Sequence, residues 1–176
     1  MVDGPFDAVL STAALHWVPG ADHPAVLRQV RDLLRPGGVL RAEFGGAGQI
    51  AATRDLLDEE STRRGGATSP WYFPSAQEYR ELVVAAGLDA QEVRLVEQRR
   101  SVPDATAVVG WLRSQVLIAY EPGLPPGALD DFRAAVERRA VTELVRPDGT
   151  YDQDYVRLYL RAVRPLDAHP HGSLPA

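Results

Sequence analysis

The sequence predicts an α/β fold, and the clearest sign is a strand–helix–strand pattern near its start. Residues 6–11 (FDAVLS) form a short apolar run between Gly4-Pro5 and a stretch of small residues, which is typical of a buried strand. Residues 39–44 (VLRAEF) predict a second strand after a helical segment, and such crossovers join parallel strands. Alternating runs at 91–98 and 155–163 add two strands, so we expect a four-stranded sheet with helical connections.

The helix of this first crossover has recognisable start and stop signals. Asp22 or His23 is expected to cap its start, with Pro24 in the first turn. Pro36 cannot continue a helix, so the helix is expected to end at the RPGG segment, whose two glycines take the turn into the next strand. The side that faces the core is predicted to consist of Val26, Leu27, Val30, Leu33 and Leu34.

Three segments lead to the third strand. A weaker helical pattern covers about 48–64 and ends at RRGG, and an aromatic loop, ATSPWYFPS, follows it. Ser75 and Glu78 form a capping-box pattern, which predicts the start of a helix that ends at Gly87. The apolar face of that helix is predicted to be Tyr79, Leu82, Val83 and Ala86. The alternating strand at 91–98 comes next.

The segment 104–145 is expected to form two helices before the last strand. Asp104 can cap the first, and prolines between the two helices separate them. The residues predicted to face inward are Val108, Val109, Leu112 and Val116 in the first helix and Leu129, Phe132, Val136 and Leu144 in the second. After the strand at 155–163, residues 165–176 are expected to be a disordered tail, which leaves 1–164 as one domain.

Composition narrows the possible classes of function. The formal net charge of −5 argues against nucleic-acid binding, because a surface that follows phosphates needs excess positive charge. The absence of cysteine excludes disulfides, thiolate metal sites and a cysteine nucleophile. His169 and His171 lack a third ligand, so no metal site is predicted. No apolar run has the length of a membrane span and no secretory signal is evident, so we expect a cytoplasmic protein without a membrane partner.

Three stretches together resemble one protein family. They are FDAVLSTAALHWVPGADHPAVLRQVRDLLRPGGVLRAEFGG at 6–46, PWYFPSAQEYRELVVAAGL at 70–88 and VRLYLRAVRP at 156–165. In their order and spacing they resemble the second half of class I S-adenosylmethionine-dependent methyltransferases, and most closely the trans-aconitate methyltransferase group. The resemblance covers about residues 5–165.

The resemblance implies a partial Rossmann-like methyltransferase sheet. The family fold has seven strands in the order 3-2-1-4-5-7-6. The four strands predicted here would be its strands 4, 5, 6 and 7, with a helical insertion at about 104–145 between the last two. The resemblance also implies S-adenosyl-L-methionine as cofactor. Because no G-x-G-x-x-G or G-x-G-x-G occurs, the sequence is expected to be truncated before the glycine-rich cofactor loop.

The loop after residues 6–11 is the best candidate site, since ligands of open α/β sheets bind at the carboxyl ends of strands. Its small residues allow a cofactor to approach closely, and by resemblance this block lines the methionine and sulfonium side of the cofactor. The predicted cofactor-binding residues are Ser11, Thr12, Ala13, Ala14, His16 and Trp17. The alternative is structural, with Trp17 as a packing anchor and His16 as a residue that flanks a helix.

The predicted substrate-binding residues are Glu43, Gly46, Tyr72 and Trp111. Glu43 and Gly46 follow the second strand, and the aromatic loop with Tyr72 is placed to roof an apolar pocket. The alternatives are that Glu43 is exposed or paired with an arginine, and that the aromatic loop and Trp111 pack into the core. Two arginines are candidates for holding a polycarboxylate through bidentate hydrogen bonds, namely Arg54 and Arg157.

The sequence therefore predicts methyl transfer from S-adenosylmethionine to an oxygen of a small molecule, with a carboxylate as the expected acceptor. A carboxylate is already ionised at neutral pH and needs no general base, which suits a sequence without a convincing acid–base pair. The alternative is a non-catalytic remnant that pairs with another chain or a second copy through an exposed strand at 6–11. A third possibility is that a separate polypeptide supplies strands 1 to 3.

Overall fold

The computed structural model describes residues 4–98 and 100–166, which fold into six strands and five α-helices. The strands are β1 (Phe6–Thr12), β2 (Leu34–Gly45), β3 (Asp89–Gln98), β4 (Ser101–Val102), β5 (Tyr151–Asp152) and β6 (Tyr155–Val163). The helices are α1 (His23–Leu33), α2 (Ala51–Arg63), α3 (Ala76–Ala85), α4 (Ala105–Trp111) and α5 (Leu129–Glu143).

Four of the strands form one mixed sheet in the order β1-β2-β6-β3. β1 and β2 are parallel and α1 connects them, as predicted, whereas β6 is antiparallel to both of its neighbours. The two short strands β4 and β5, which the sequence does not predict, pair with each other. Because β6 lies beside β2, Arg157 stands opposite Gly45 although the two are far apart in sequence.

The RPGG segment differs from its prediction as a turn between helix and strand. β2 begins at Leu34, so this segment lies inside a bulged strand. Phe6 pairs with Leu34 and Ala8 pairs with Val39, so β1 advances by two residues where β2 advances by five. Gly37 has a φ of +77°, which favours glycine, and its amide donates to the Arg164 carbonyl at 2.9 Å. The extra residues are accommodated because their backbone groups bond to the end of β6.

One hydrophobic core lies between the sheet and helices α1 and α3. Phe44 and Tyr79 are fully buried at its centre, with ring centroids 4.9 Å apart. His23, a predicted cap, is instead the buried first residue of α1, and Asp22 makes no side-chain cap. The Val18 carbonyl, 3.2 Å from His23 Nε2, can only accept, so Nε2 carries the proton and the Tyr79 hydroxyl donates to Nδ1 at 3.1 Å.

The start of α3 confirms the predicted capping box. The Glu78 amide donates to Ser75 Oγ at 3.1 Å, and the Ser75 amide donates to Glu78 Oε2 at 3.3 Å. The helix ends at Ala85, and Gly87 follows with a φ of +82°. Two positions of its predicted apolar face, Tyr79 and Val83, are fully buried.

A second core joins α2, α4 and α5, but the chain from 104 to 145 is less regular than two helices. Asp104 caps α4 as predicted, because its carboxylate accepts from the Ala107 amide at 2.9 Å. After Trp111 the helix widens into a π-helical turn, and 3₁₀ turns follow at Leu117–Ala119 and Glu121–Gly123. The predicted inward-facing residues that are fully buried are Val108, Leu112, Val116, Phe132 and Val136.

β1 is an edge strand, and it is more exposed than the sequence predicts. It pairs only with β2, so its outer edge has no strand neighbour within residues 4–98 and 100–166. Val9 packs against the first core, whereas Leu10 points the other way and is 76% exposed. The apolar run therefore marks a strand correctly, but helices cover only one of its two faces.

Within the same described residues, no helix combines the length and apolar character needed to cross a membrane. This part of the chain also contains no group of three or more His, Cys, Asp or Glu side chains arranged to hold a metal ion. Residues 167–176 of the predicted tail, with His169 and His171, lie outside the described residues.

Candidate functional site

A cavity of about 340 Å³ opens at the carboxyl ends of β1 and β2, between the sheet and the helical segment after α4. This is the end of the sheet where open α/β folds bind ligands. We call it the aromatic cavity, because the side chains that line it include Trp17, Trp71, Phe73 and Trp111. The other side chains that line it include His16, Gln49, Ser114, Gln115, Tyr155 and Arg157.

The aromatic wall is a set of rings in mutual contact. Trp71 and Phe73 are nearly parallel, with an interplanar angle of 19° and centroids 5.8 Å apart. Trp17 meets Trp71 edge to face at 5.7 Å and is 48% exposed. His16 lies 5.8 Å from Phe73 and closes the inner side. Rings held in this way present flat apolar surfaces, which suit an aromatic or other planar ligand.

The loop after β1 owes its shape to a left-handed residue and a buried leucine. Ala13 has a φ of +53°, and its amide donates to the Glu43 carbonyl at 2.8 Å. Leu15 is buried in the first core and starts a short 3₁₀ turn that ends at Trp17. The turn directs His16 and Trp17 into the aromatic cavity, while Leu15 anchors it to the sheet.

The structure brings together some of the predicted site residues and separates others. Ala13, His16, Trp17 and Trp111 line the aromatic cavity. Ser11, Thr12 and Glu43 instead line a shallow groove on the sheet face away from α1 and α3, beside Arg41, Glu92 and Tyr159. Ala14 and Gly46 line neither, and a Cβ at Gly46 would collide with Leu95. Arg54 lies outside the cavity, where it pairs with Asp55 at 3.7 Å.

Tyr72 is predicted to line the pocket, but its side chain points away from the aromatic cavity. An extended chain alternates its side chains, so Trp71 and Phe73 point into the aromatic cavity while Tyr72 points into the first core. The Tyr72 ring lies 4.6 Å from His23, and its hydroxyl donates to Glu78 at 2.6 Å. Burial, together with this hydrogen bond, raises the pKa of Tyr72, so the hydroxyl stays protonated.

His16 is a neutral imidazole in this setting. Burial and, to a lesser degree, the positive charge of Arg157 lower the pKa of His16 to about 4. The Gly45 amide donates to His16 Nδ1 at 3.4 Å, so the proton of the neutral ring is on Nε2. A ring with this pKa is a weak base at neutral pH, and one of its nitrogens is already engaged.

We expect this histidine to make the protein sensitive to acid. The unfolded histidine binds a proton as the pH falls below 6.5, whereas folded His16 does so only near pH 4. The contribution of neutral His16 to the free energy of unfolding is therefore fully present above pH 6.5 and is lost as the pH falls from there through about 4. The variant His16→Asn keeps an acceptor for the Gly45 amide but does not titrate, so its melting temperature should fall less between pH 7 and pH 4. Equal falls in the variant and the unmodified chain would contradict this account.

Arg157, which the sequence analysis names as a candidate for holding a polycarboxylate, lies at the aromatic cavity. It lies on β6 and is only 8% exposed, and its Nη2 donates to Glu43 Oε1 at 3.1 Å. Glu43 lines the open groove and Arg157 lines the aromatic cavity, so the ion pair separates the two. The available signal was a charged residue within the apolar run YVRLYLRAV. The sequence-based prediction placed the aromatic loop over a pocket but singled out Tyr72 and not Phe73, because nothing local shows which side of the loop faces the cavity.

Comparisons with known proteins agree with this architecture. A family profile described as a methyltransferase domain matches residues 1–42. Trans-aconitate 2-methyltransferase from Deinococcus radiodurans is 33% identical over 132 residues, covering 68% of this chain and 49% of that protein. The enzyme of the same name from Variovorax paradoxus is 29% identical over 168 residues, covering 89% of this chain and 62% of that protein. The chain thus spans about half to three-fifths of the length of these curated relatives.

The fold is also similar to solved structures. The crystal structure of BH2331 from Bacillus halodurans C-125, a proposed methyltransferase, superposes with a TM-score of 0.57. The match covers 94% of this chain and 72% of the other at 12% identity, so it bears on the fold alone. Together, the sequence relatives, the family profile and the shared fold show that the chain belongs to the class I S-adenosylmethionine-dependent methyltransferases.

Proposed function

We propose that the protein transfers a methyl group from S-adenosylmethionine to a carboxylate oxygen of a small molecule bound in the aromatic cavity. The observation that carries this proposal is Arg157, a nearly buried arginine that borders a cavity at the carboxyl ends of the parallel strands β1 and β2. A guanidinium at low exposure is a strong carboxylate ligand. The reaction class, methyl transfer, is inferred from family membership, and the acceptor class, a carboxylate, is inferred from Arg157 at the cavity.

The described residues fit one side of the cofactor. Thr12, Ala13 and Ala14 are exposed at the carboxyl end of β1, and none is large enough to block a nucleoside. Trp17 offers a half-exposed indole beside them, and aromatic faces attract cations such as a sulfonium. These residues, with Ser11 and His16, would hold the methionine and sulfonium side. When bound, S-adenosylmethionine supplies an electrophilic methyl group, whose bond to sulfur breaks as the acceptor oxygen bonds to carbon.

His16 favours a carboxylate over an alcohol as acceptor. An alcohol needs a base to take its proton, and a catalytic base works best with a pKa near the working pH. The pKa of His16, about 4, is too low for that task. A carboxylate requires no proton removal, so this chain needs only to orient it and to exclude water. Arg157 would orient the carboxylate, and the aromatic wall would exclude water.

The sheet order supports the same proposal. If β1, β2, β3 and β6 are strands 4, 5, 6 and 7 of the family fold, the expected neighbour order is 4-5-7-6. The observed order β1-β2-β6-β3 has that form. On this assignment α4 and α5 are an insertion before the last strand, and they contribute Trp111 and the following turn to the acceptor side of the cavity.

The direct test is a calorimetric titration of the purified 176-residue chain with S-adenosylmethionine. We expect saturable binding of the cofactor, but this chain is expected to be inactive alone, because its residues form only one side of the cofactor site. S-adenosylhomocysteine and a methyl ester should form when a polypeptide that carries the glycine-rich cofactor loop is present together with a suitable carboxylate. Mass spectrometry detects both products. The absence of any heat at millimolar cofactor would contradict the proposal for this chain.

A second candidate function is association through β1, without catalysis. The observation that favours it is the open outer edge of β1 together with the 76% exposure of Leu10. Exposed strand edges pair readily with other strands. Sedimentation equilibrium distinguishes the candidates, because a stable dimer that binds no cofactor would favour association.

A further inference from the structure

The aromatic cavity has an unusual balance of charge. Among the described residues that line it, Arg157 is the one charged side chain, and the rest are aromatic, aliphatic, amide, hydroxyl or neutral imidazole groups. Glu43, which partly neutralises Arg157, faces the open groove and not the cavity. The cavity therefore offers one cationic side chain, paired with a carboxylate that lies outside the cavity, among uncharged walls.

Arg157 is held in place yet retains hydrogen-bonding capacity. A guanidinium has five N–H donors, and in the described part of the chain the Arg157 guanidinium makes one hydrogen bond, to Glu43. The Tyr155 ring lies 5.2 Å from its central carbon and further fixes its position. A preorganised guanidinium loses little entropy when it binds a planar anion such as a carboxylate.

The cavity walls restrict the chemical groups that a carboxylate ligand of Arg157 can carry. The nearly parallel rings of Trp71 and Phe73, with Trp17 and Trp111 around them, offer flat apolar contacts. A volume of about 340 Å³ is near the lower end of the range for small-molecule pockets, about 300–1,000 Å³. A second or third carboxylate would find no further cation among the described lining residues, only amide and hydroxyl groups such as those of Gln115 and Ser114, and burying an ionised group without a charged partner is unfavourable.

We infer that the acceptor is a monocarboxylate with a planar apolar body, not a polycarboxylate. Its carboxylate binds Arg157, and its body lies against the indole rings. This inference rests on the proposed function for the identity of the site as an acceptor site. It adds a substrate class that differs from the tricarboxylate in the names of the curated relatives.

The protein contains a built-in reporter for the test. Its three tryptophans all line the aromatic cavity, so intrinsic fluorescence excited at long wavelength responds to occupancy of this cavity. The probes are phenylacetate, its neutral amide analogue phenylacetamide, and trans-aconitate. We expect a saturable response to phenylacetate. Phenylacetamide and trans-aconitate should each bind at least about tenfold more weakly than phenylacetate. Phenylacetamide has no negative charge to pair with Arg157, and trans-aconitate has more negative charges than the single arginine can pair.

Variants show whether Arg157 is the cause. Arg157→Gln should weaken phenylacetate binding by about tenfold or more while leaving phenylacetamide binding unchanged. Arg94→Gln is the matched control, because Arg94 is exposed and pairs with Glu92 outside the cavity, and it should bind like the unmodified chain. The double variant Glu43→Gln/Arg157→Gln removes both charges of the pair. Circular dichroism of this double variant separates loss of binding from loss of folding.

The possible outcomes distinguish this inference from the proposed function. No saturable response to phenylacetate, equal affinity for trans-aconitate, or no effect of Arg157→Gln would each overturn the inference. Methyl transfer to a polycarboxylate would overturn it as well while supporting the proposed function. Selective phenylacetate binding through Arg157 in a chain that does not bind S-adenosylmethionine would support the carboxylate site and contradict the proposed function.

Discussion

Replacing Phe44 with alanine is expected to lower the free energy of unfolding by about 3–5 kcal/mol. The Phe44 side chain has 0% exposure and lies between the sheet and α3, where its ring meets Tyr79 edge to face at 4.9 Å. Truncation removes the buried ring and leaves a cavity that the surrounding strands cannot easily fill. Domains are stable by only about 5–15 kcal/mol, so the variant should be close to unfolding. Urea denaturation followed by far-UV circular dichroism measures the loss.

Phe73→Ala is the control for this prediction, because Phe73 is only partly buried at the edge of the second core, where it lines the aromatic cavity. Its ring is only partly buried and already borders open space, so its removal should cost less than half as much stability. We expect it to impair phenylacetate binding more than it lowers stability. Equal losses of stability in the two variants would mean that the aromatic cavity is part of the core.

Local signals in the sequence predicted most of the secondary structure. The capping box at Ser75 and Glu78 forms as expected because both of its hydrogen bonds lie within one helical turn. The crossover from β1 through α1 to β2 was predictable because each element has its own periodicity and its own stop signal. These local patterns gave the α/β class, and the family resemblance added the particular sheet to which the strands would belong.

Features that depend on distant parts of the chain were predicted less well. The RPGG segment resembles a turn by itself, and it becomes a strand bulge only because Arg164 offers backbone groups beside it. The burial of β1 was overestimated, since an apolar run does not show how many of its faces will be covered. The π-helical turn after Trp111 likewise has no local signal that we can identify.

The candidate site shows the same division. Ala13, His16 and Trp17 were predictable because they follow a strand directly, where ligands of such sheets bind. Arg157 reaches the same cavity only because β6 pairs with β2, a contact between residues more than a hundred positions apart. The choice of Phe73 over Tyr72 depended on which face of the aromatic loop packs inward. The sequence named both Arg54 and Arg157 as candidates, and only the tertiary structure shows that Arg157 borders the cavity while Arg54 does not.

Glu60 provides the second large expected effect, since it joins α2 to α5. The side chain is almost buried, and its carboxylate accepts hydrogen bonds from Arg63 at 2.6 Å, Arg64 at 2.5 Å and Arg139 at 2.7 Å. Burial by itself would raise the pKa of Glu60, but the hydrogen bonds from Arg139 and Arg64 outweigh it and the pKa is lowered. The carboxylate is thus ionised and paired at neutral pH.

Glu60→Ala is expected to destabilise the protein by about 2–3 kcal/mol, because it leaves partly buried arginines without their shared partner. Glu59→Ala is the matched control on the same helix. Glu59 pairs with Arg139 at 3.0 Å but is largely exposed, so its loss should stay within about 0.5 kcal/mol.

Because the pKa of folded Glu60 is lowered, its contribution is present above the usual carboxyl pKa of 4.5 and is lost as the pH falls below it. The difference between the two variants in urea denaturation should therefore shrink from pH 7 to pH 3, and a constant difference would show that packing, not charge, is what Glu60 contributes.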